Sequence, residues 1–499
     1  MELTFQTADI SYLGSVLRDV HNQEQTQEVR LSDGLPDIGR VIASWGVPVI
    51  RGKEWRRNSV SVSGGVMVWI LYAPEDGTDP RCVESWIPFQ MEWDIRAGER
   101  EGQIRVQPLL RFVDARSVSA RKLMVRTGIA ALAEAMVPMQ ARISTAGAED
   151  PDIQLKKTTY PVRLLRHMGE KTFMLDEDLS LPPSGPLPDK LIRYSVQPEI
   201  TERRVSGNRV VFKGNANLHI LYRSAEGQLH TWDFELPFSQ LGNLVESMDD
   251  SAVVDTVLCV TSLELHLDDE GHLRLKCGLL GQYAVSQRMM LELTEDAYGI
   301  NRDVQPGFEM LELPLILENR QENLFGEQSI PQDGNLIVDT DFLLDFPRNR
   351  ILNDGVEMEI PGLFQVLYYG EDGLLQSSTT RWEGSYRLPV DRDARLEIRV
   401  LPNDRPDAAF SGGGMQLRSQ VLLDMTARND QVFPMVSSVE VGQPKAPDPG
   451  RPSVILRRAG DGGLWEMAKQ SGSTVEAIQR ANDLQGDPQW GRMLLIPIG

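Results

Sequence analysis

Cysteine is scarce in this chain, which has only three in 499 residues: Cys82, Cys259 and Cys277. A sparse and odd-numbered set argues against a disulfide framework and favours a reducing compartment. Cys259 and Cys277 lie in neighbouring apolar segments, so we expect small buried hydrophobic residues rather than a redox pair. The cysteine content predicts a cytoplasmic protein.

Long hydrophobic runs are also missing. A membrane-spanning helix needs roughly 20 apolar residues, whereas the longest candidate, IAALAEAMV at 129–137, is far shorter and contains Glu134. The N-terminal segment MELTFQTADISYLGSVL lacks the basic start and the continuous apolar stretch of a secretory signal. We therefore expect no membrane insertion and no leader peptide.

Positive charge is in deficit, because 51 Lys and Arg residues face 72 Asp and Glu residues, which gives a formal net charge of −21. Such a surface repels phosphate backbones and anionic lipids, so nucleic-acid binding is disfavoured as a global function. The content of 41% hydrophobic and 25% charged residues is typical of folded domains. A chain of this length is expected to form three or four of them.

Residue patterns of catalytic and metal sites are absent as well. None of the six histidines has the spacing of a zinc site, and we expect His219 and His230, which flank one hairpin, at the surface. The segment SGGGMQ at 411–416 lacks the Lys-Ser/Thr of a phosphate loop, and no G-x-S-x-G nucleophile elbow occurs. The sequence predicts no catalytic residue, no metal ligand and no cofactor.

One motif occurs three times: ILYAPEDG at 70–77, ILYRSAEG at 220–227 and VLYYGEDG at 366–373. Its tyrosines are 150 and 146 residues apart, and a glycine follows each tyrosine five residues later. Several matches in the same order indicate a repeat of domain size. The flanking strings that recur are LPD at 35–37 and 187–189 with IPQD at 330–333, and WIPFQ at 86–90, ELPFSQ at 235–240 and RLPV at 387–390. We predict domains at 1–150, 151–300 and 301–440.

The residues before each motif are typical of strands, as in VSVSGGVMVWILY at 60–72. An acidic residue followed by glycine is hairpin chemistry, because glycine accepts a positive φ. A calcium loop at PEDGTDP, residues 74–80, is a weaker alternative because alternating oxygen ligands are lacking. Segment 114–136 is expected to end as a helix. The predicted fold is mainly β (α+β overall), with three repeated antiparallel β-rich domains.

The C-terminal part differs from the three repeats in its predicted secondary structure. A proline-rich linker, VGQPKAPDPGRP at 441–452, precedes a segment in which the apolar strands SVILR and MLLIP enclose two short helices. Gly472 should end the first helix and Thr474 should cap the second. This predicts a small βααβ domain at 453–499. Its expected inner residues are Leu464, Trp465, Ala468, Val475, Ile478 and Ala481.

This segment resembles a LysM domain, a family that typically binds N-acetylglucosamine polymers such as peptidoglycan in a shallow groove. It departs from the family in two turns. No hydroxyl residue follows Asp461, and Gln489-Trp490-Gly491-Arg492 replaces the usual Pro-Gly-Gln. An exposed Trp490 beside an arginine suits a protein–protein hot spot equally well, and the further alternative is that Trp490 packs on its own core. The matching strings are Gly-Asp-x-x-Leu-Trp-x-x-Ala at 460–468, Thr-Val-Glu-x-Ile at 474–478, Ala-Asn-x-Leu at 481–484 and Leu-Ile-Pro at 495–497.

Three β-rich repeats followed by a LysM-like segment are similar to the SPOCS-domain proteins of spore coat morphogenesis. That resemblance implies a non-enzymatic mother-cell protein at the forespore surface, whose LysM docks a coat morphogenetic ATPase similar to SpoIVA. The alternative is an envelope protein that binds peptidoglycan, and a wall hydrolase is a third possibility. The predicted partner- or glycan-binding residues are Arg457, Arg458, Asp461, Asn482, Trp490 and Arg492.

Overall fold

The computed structural model describes the chain except for residues 1, 4–5, 99, 146–149, 151, 182–184, 353–354, 390–393, 403–404, 446–449, 461 and 499. The described residues are 76% strand and 4% helix, so the mainly β prediction is confirmed. The strands are β1 Glu2–Leu3, β2 Gln6–Arg30, β3 Ile38–Trp55, β4 Ser59–Pro74, β5 Arg81–Asp94, β6 Gln103–Ser119, β7 Lys122–Thr145, β8 Ile153–Leu179, β9 Pro188–Ser206, β10 Arg209–Ser224, β11 Leu229–Asn243, β12 Val253–Leu267, β13 Leu273–Gly299, β14 Arg302–Ile330, β15 Leu336–Leu344, β16 Arg348–Leu352, β17 Gly355–Tyr369, β18 Leu375–Leu388, β19 Arg395–Pro402, β20 Asp407–Phe410, β21 Met415–Pro444, β22 Val454–Arg458 and β23 Met493–Pro497. The helices are α1 Gly463–Ser471 and α2 Val475–Asn482.

The same strand pairing recurs along the chain. We call residues 1–150 unit 1, residues 151–300 unit 2, residues 301–440 unit 3 and residues 453–499 the C-terminal segment. Unit 1 has an outer sheet β2–β7–β6 and an inner sheet β3–β4–β5, and unit 2 has β8–β13–β12 and β9–β10–β11. In unit 3, β21 pairs with β14, β19 and β20 to form the outer sheet, while β17 pairs with β15, β16 and β18 to form the inner sheet. The first long strand of each unit therefore pairs with its last, and all pairings are antiparallel.

The N-terminus joins unit 3. Strand β1 pairs with β21 through Glu2 opposite Glu440 and Leu3 opposite Val439. The other edge of β21 at this point is paired with β14. The start of the chain thus adds a strand to the outer sheet of the third unit.

Several apolar clusters hold the units together. The inner sheets of units 1 and 2 share one, in which the rings of Trp69 and Tyr194 meet edge to face with centroids 4.9 Å apart. A second forms where the three outer sheets meet, and every unit contributes to it, for example through Tyr12, Leu164 and Leu313. Burial of apolar side chains at roughly 25 cal/mol per Å² makes these contacts the main stabilising term between the units.

Eight charged side chains of alternating sign cross the junction of the three units, and we call them the charge ladder. Arg105, Asp255 and Arg399 form its centre, each on the third strand of the outer sheet of its unit. Arg105 Nη1 lies 2.6 Å from Asp255 Oδ2, and Arg399 Nη2 contacts the other oxygen of Asp255. Four positive and four negative groups compensate one another, as buried charges must. In order, the members are Arg428, Glu397, Arg18, Glu134, Arg105, Asp255, Arg399 and Asp424.

The three repeated motifs form hairpins, as predicted. The glycines adopt positive φ angles of 72° at Gly77, 85° at Gly227 and 72° at Gly373. In the first hairpin, Asp76 Oδ1 accepts hydrogen bonds from Thr78 N at 3.0 Å and from Thr78 Oγ1 at 2.7 Å. This carboxylate, part of the considered calcium loop, closes the turn.

Each motif tyrosine is buried and bonds to the residue 36 positions earlier. The hydroxyl of Tyr72 donates to Pro36 O at 2.9 Å, and that of Tyr222 donates to Pro186 O at 3.1 Å. The third copy differs, because Tyr368 donates to the side chain of Gln332 at 3.2 Å. Pro36 belongs to the first LPD string, whereas Pro186 precedes the second at 187–189, so the two strings are not structurally equivalent.

The predicted helix at the end of 114–136 is wrong. Residues 122–145 form strand β7, which pairs with β2 on one side and with β6 on the other. Its alanine-rich stretch favours a helix locally, but Ala130, Ala131 and Ala133 are fully buried in a strand covered on both faces. A strand buried on both faces has a continuous apolar run without alternation, which periodicity does not distinguish from a buried helix.

The surface prediction for His219 is also wrong, since this side chain is 3% exposed. Its Nδ1 lies 2.7 Å from Asp233 Oδ1 within unit 2, and its Nε2 lies 3.1 Å from Asp339 Oδ1 in unit 3. Arg193 also reaches Asp339, with Nε 2.9 Å from Oδ2. The burial of His219 therefore comes from unit 3, 120 residues further along the chain, which local sequence does not reveal. His230 is half-buried.

The C-terminal segment has the predicted βααβ order. Helix α1 ends at Gly472, which has a φ of 62°, and Thr474 Oγ1 accepts a hydrogen bond from Ala477 N at 3.0 Å to cap α2. The first turn of α1 is capped from a distance, because Leu464 N donates to Asp487 Oδ1 at 2.9 Å. Of the expected inner residues, Ala481 is exposed instead. The predicted linker 441–452 overlaps β21, and residues 446–449 lie outside the described part.

Candidate functional site

An apolar strip covers the outer face of the two-stranded sheet β22–β23. The sheet alternates, so that Leu494 and Ile496 are fully buried in the segment's core while their neighbours point outward. Leu456 lies opposite Leu495 in the pairing, and Arg458 lies opposite Met493. The exposed fractions are 48% for Val454, 62% for Leu456, 50% for Met493 and 46% for Leu495. Contiguous exposed apolar side chains of this kind mark interaction surfaces.

Trp490 stands at the end of this strip and is 70% exposed. The guanidinium carbon of Arg458 lies 5.3 Å from the centroid of the indole, within the range of a cation–π contact. Arg458 Nε also donates to Gly491 O at 3.2 Å, which fixes the arginine beside the turn. The alternative that Trp490 packs on the core of its own segment is therefore ruled out. Arg492, which follows in the same turn, is exposed.

Two other predicted residues have structural roles. The amide of Asn482 accepts from Leu495 N at 2.8 Å and donates to Leu495 O at 2.6 Å, so it joins the end of α2 to β23. Arg457 turns to the opposite side and donates to Ser471 Oγ at 3.3 Å and to Gln470 at 2.5 Å. Asp461 lies outside the described residues. The structure thus brings together Arg458 and Trp490, whereas Arg492 Nη2 donates to Asn482 O at 3.5 Å.

The apolar strip was missed at the sequence level, where SVILR and MLLIP were interpreted as short apolar strands without a face. The sequence nevertheless contained the pattern that predicts this strip. In a two-stranded sheet only one face is covered by helices, so alternate residues of an apolar strand must be exposed. We call Val454, Leu456, Arg458, Trp490, Met493 and Leu495 the C-terminal face.

The C-terminal segment is fixed on the end of β13 in unit 2. Lys469 Nζ lies 2.7 Å from Asp296 Oδ2, and the rings of Tyr298 and Trp465 meet edge to face at 4.8 Å. The hydroxyl of Tyr298 donates to Ser473 O at 2.8 Å. Tyr298 and Ile300 of unit 2 belong to the same apolar cluster as the core of the C-terminal segment. The C-terminal face is therefore presented in a defined orientation on the large β body.

The thiols are not arranged for catalysis. Cys259 and Cys277 are buried, as predicted, and burial raises the pKa of each thiol to about 12. Burial has the same effect on Cys82, whose pKa is also raised to about 12. Such cysteines stay protonated near neutral pH and are poor nucleophiles. Within the described parts of the chain, no group of three or more His, Cys, Asp or Glu residues is placed to hold a metal ion. Neither described helix is long and apolar enough to cross a membrane.

Comparison with known proteins finds a similarity within unit 2. A family model described as SipL, SPOCS domain, matches residues 189–265, which cover the inner sheet of unit 2 and most of β12. Residues 189–265 are therefore similar to a SPOCS domain. No curated protein matches it, and no solved structure does.

Proposed function

We propose that this chain is a non-enzymatic interaction protein of spore coat assembly, similar to SipL, that acts in the mother cell at the forespore surface. In this proposal its three β-rich units form a SPOCS-like scaffold, and its LysM-like C-terminal segment docks a coat morphogenetic ATPase similar to SpoIVA. The observation that carries the proposal is the C-terminal face, where Trp490 is exposed and held by Arg458. Exposed tryptophan and arginine beside apolar side chains have the composition of a hot spot.

Charge supports a protein partner with an acidic rim. The whole chain has a formal net charge of −21, yet the C-terminal face presents Arg458 and has Arg492 beside it. Opposite charges at the rim of an interface raise the association rate and suppress wrong partners. The apolar strip supplies the area that must be dehydrated on binding. A partner that combines apolar side chains with a few carboxylates suits this face.

Glycan binding is the second candidate, and the exposed indole of Trp490 favours it because an aromatic face is an apolar platform for a ring. Against it, the amide of Asn482 is occupied by Ile478 and Leu495 and has few hydrogen bonds left for sugar hydroxyls. Polar groups that fix orientation are a general feature of small-molecule sites. The ATPase partner is therefore the better supported proposal.

The test is binding of the full chain to the purified ATPase by biolayer interferometry, beside co-sedimentation with peptidoglycan. Trp490→Ala should weaken ATPase binding about 30-fold, the equivalent of a hot spot of about 2 kcal/mol. Trp232→Ala is the matched control, because Trp232 is 39% exposed on β11 of unit 2 and is not a residue of the C-terminal face. Sedimentation with peptidoglycan that depends on Trp490, without ATPase binding, would establish the glycan candidate. Equal loss in both variants, or no binding by the native chain, would refute both.

A further inference from the structure

The two edges of the sheet β22–β23 differ in whether another strand can pair with them. On the β23 side, the amide of Asn482 accepts from Leu495 N at 2.8 Å and donates to Leu495 O at 2.6 Å. Both backbone groups that Leu495 points out of this edge are therefore occupied. Pro497, two residues further along, has no backbone N–H to offer. The β23 edge is thus poorly suited to pairing with another strand.

The backbone of Leu456 points out of the other edge of the sheet. In an antiparallel pair, residues directly opposite each other either exchange both hydrogen bonds or point both groups away, and the two kinds alternate along the strands. Leu456 lies opposite Leu495, and the N–H and C=O of Leu495 point away from β22. The N–H and C=O of Leu456 therefore point away from β23.

The hydrogen bonds just beyond both ends of β22 give the same alternation. Ala459 N donates to Arg492 O at 2.8 Å, and Ile498 N donates to Ser453 O at 2.9 Å. Residues 453 and 459 each lie three positions from Leu456, so the odd-numbered residues bond to the β23 side and the even-numbered residues do not. The outward-pointing residues of β22 are Val454, Leu456 and Arg458.

These outward-pointing residues are without a strand partner. Within the described part of the chain, β22 pairs with β23 alone, and no turn or loop bond reaches the backbone of Val454, Leu456 or Arg458. The side chains of the same three residues are exposed on the C-terminal face. An unpaired strand edge beside exposed apolar side chains is a template for pairing with a strand of another chain.

We propose that an extended segment of the protein partner adds to β22 as a third strand and pairs with the outward backbone groups of Val454, Leu456 and Arg458. In this mode of recognition, main-chain hydrogen bonds give affinity, and alternate side chains give specificity. The inference rests on the proposed function, because it concerns how that same partner binds the C-terminal face.

The side chains of β22 define the chemistry of the added segment. Residues directly opposite each other in a sheet lie on the same face and contact one another. The residues opposite Val454 and Leu456 should therefore be apolar. Arg458 contacts the Trp490 ring and Gly491 O, and it forms no ion pair with a carboxylate of the described residues. The segment should thus have apolar residues at two alternate positions and Asp or Glu at the next alternate position.

A second copy of this chain fits the edge less well. Antiparallel pairing of two β22 strands about Leu456 would place each Arg458 opposite Val454 of the other copy, so that neither guanidinium gains a carboxylate. Each copy also has a formal net charge of −21, which opposes association of two copies. A partner segment with an acidic residue compensates Arg458 and is the better match.

Hydrogen–deuterium exchange of the full chain, alone and with the purified ATPase, tests the added strand. In the free chain the amides of Val454, Leu456 and Arg458 should exchange rapidly, because they are unpaired. With the ATPase bound, the fragment that contains residues 454–458 should retain up to three more protons, each exchanging at least about tenfold more slowly. The count of three follows from the three outward N–H groups.

The other outcomes separate this inference from the proposed function. ATPase binding that depends on Trp490, without protection of residues 454–458, would overturn the added strand and leave the proposed function intact. Absence of ATPase binding would refute both. Protection that increases with the concentration of the chain, without the ATPase, would overturn the inference in favour of a second copy.

Proline substitution tests the outward N–H directly. Leu456→Pro and Leu456→Ala both remove the leucine side chain, but only proline also removes the N–H and fills its place at the edge. Because this N–H is not part of the β22–β23 pairing, the thermal midpoints of the two variants should be similar. In biolayer interferometry, Leu456→Pro should bind the ATPase at least about tenfold more weakly than Leu456→Ala.

Met493 provides the matched pair on the opposite edge. It lies opposite Arg458, so its N–H points out of the β23 edge. Met493→Pro and Met493→Ala lose the same side chain and should bind the ATPase equally, since no strand is added there. Equal binding by Leu456→Pro and Leu456→Ala, or an equal further loss for proline at both positions, would contradict the added strand.

Discussion

Trp465 Nε1 donates a hydrogen bond to Asp296 Oδ2 over 2.8 Å, and this contact joins the C-terminal segment to unit 2. Lys469 completes the contact with an ion pair to the same carboxylate. The partners are 169 and 173 positions apart in the sequence. One carboxylate at the end of β13 thus receives both polar contacts from α1 and adds to the contacts of Tyr298 that hold the C-terminal face in its orientation.

Replacement of Asp296 by alanine should release the segment without unfolding the units, because Trp465 and Lys469 lose their common acceptor. The measurement is limited trypsin digestion, in which a C-terminal fragment should appear several times faster than from the native chain. Asp269→Ala is the matched control, since Asp269 is exposed in a turn of unit 2. Equal rates for the two variants would show that the apolar contacts of Tyr298 hold the segment alone.

The same contact should weaken in acid. Burial raises the pKa of Asp296, but the hydrogen bonds from Lys469 and Trp465 lower it more, and the net pKa lies below its ordinary value of 3.8. A carboxyl with a depressed folded-state pKa contributes stability that is full above the unfolded pKa and is lost as the pH falls through the folded pKa. We expect the indole N–H resonance of Trp465 to be constant down to about pH 4 and to shift below it. In Asp296→Asn this resonance should not titrate, and titration there would assign the shift to another group.

The charge ladder predicts unequal costs for two ion pairs. Asp255→Ala leaves Arg105 and Arg399 without their shared carboxylate in a buried site, which should destabilise the protein by about 3–5 kcal/mol. Glu327→Ala removes a pair with Arg418 whose side chains are 70% and 71% exposed, and should cost about 0–1 kcal/mol. Thermal unfolding monitored by circular dichroism checks both variants. Similar midpoints would mean that the ladder adds nothing to the stability of the junction.

Two glycines form a matched pair that isolates backbone conformation. Neither Gly77 nor Gly34 has an atom within 4 Å of an added Cβ, but only Gly77 has a positive φ, of 72°. Gly77→Ala should therefore cost about 1–2 kcal/mol, because an L-residue is strained in the left-handed region. Gly34→Ala should be neutral or stabilising by about 0.4–1 kcal/mol, since it reduces the freedom of the unfolded chain. Urea denaturation measures the difference, and equal effects would contradict the assigned turn geometry.

The motif tyrosines should differ in what their hydroxyls contribute. Tyr222→Phe leaves a backbone carbonyl, Pro186 O, without its donor and should cost about 0.5–1.5 kcal/mol. Tyr368→Phe should cost less, because the acceptors of its hydroxyl are the side chains of Gln332 and Gln376, which can turn to water. Both values come from urea denaturation of the full chain. A larger loss for Tyr368→Phe would mean that Gln332 is held in place by other contacts.

Features that depend on neighbouring residues, such as turns and helix caps, could be predicted from the sequence. Features that depend on residues far away along the chain could not. Gly77 and Gly472 adopt the left-handed conformations that their positions in a turn and at a helix end require, and Thr474 caps α2 as predicted. The strand conformation of β7 was not predictable, because it depends on pairing with β2 about 100 residues earlier. His219 was missed for the same reason, since its burial depends on Asp339.

The same limit applies to the candidate site. Trp490, Arg458 and Arg492 were chosen as residue types that bind partners, and the structure places Arg458 against Trp490, while Arg492 contacts Asn482 O. Asn482 was chosen on the same grounds, but its amide closes onto Leu495 across the segment. Residue type indicates chemistry, whereas the availability of a side chain depends on the contacts made after folding.

The pairing of first and last strands has a consequence for synthesis of the protein. In each unit the first long strand pairs with a strand about 120 residues later in the chain. Strand β1 can pair only after residues 439–440 have been made. Such non-local contacts fold slowly and leave strand edges open in the meantime. A nascent chain on the ribosome therefore completes its sheets in the order in which the units emerge. The C-terminal segment follows the three units in the chain, so the C-terminal face becomes available only after the strands of the scaffold have been made.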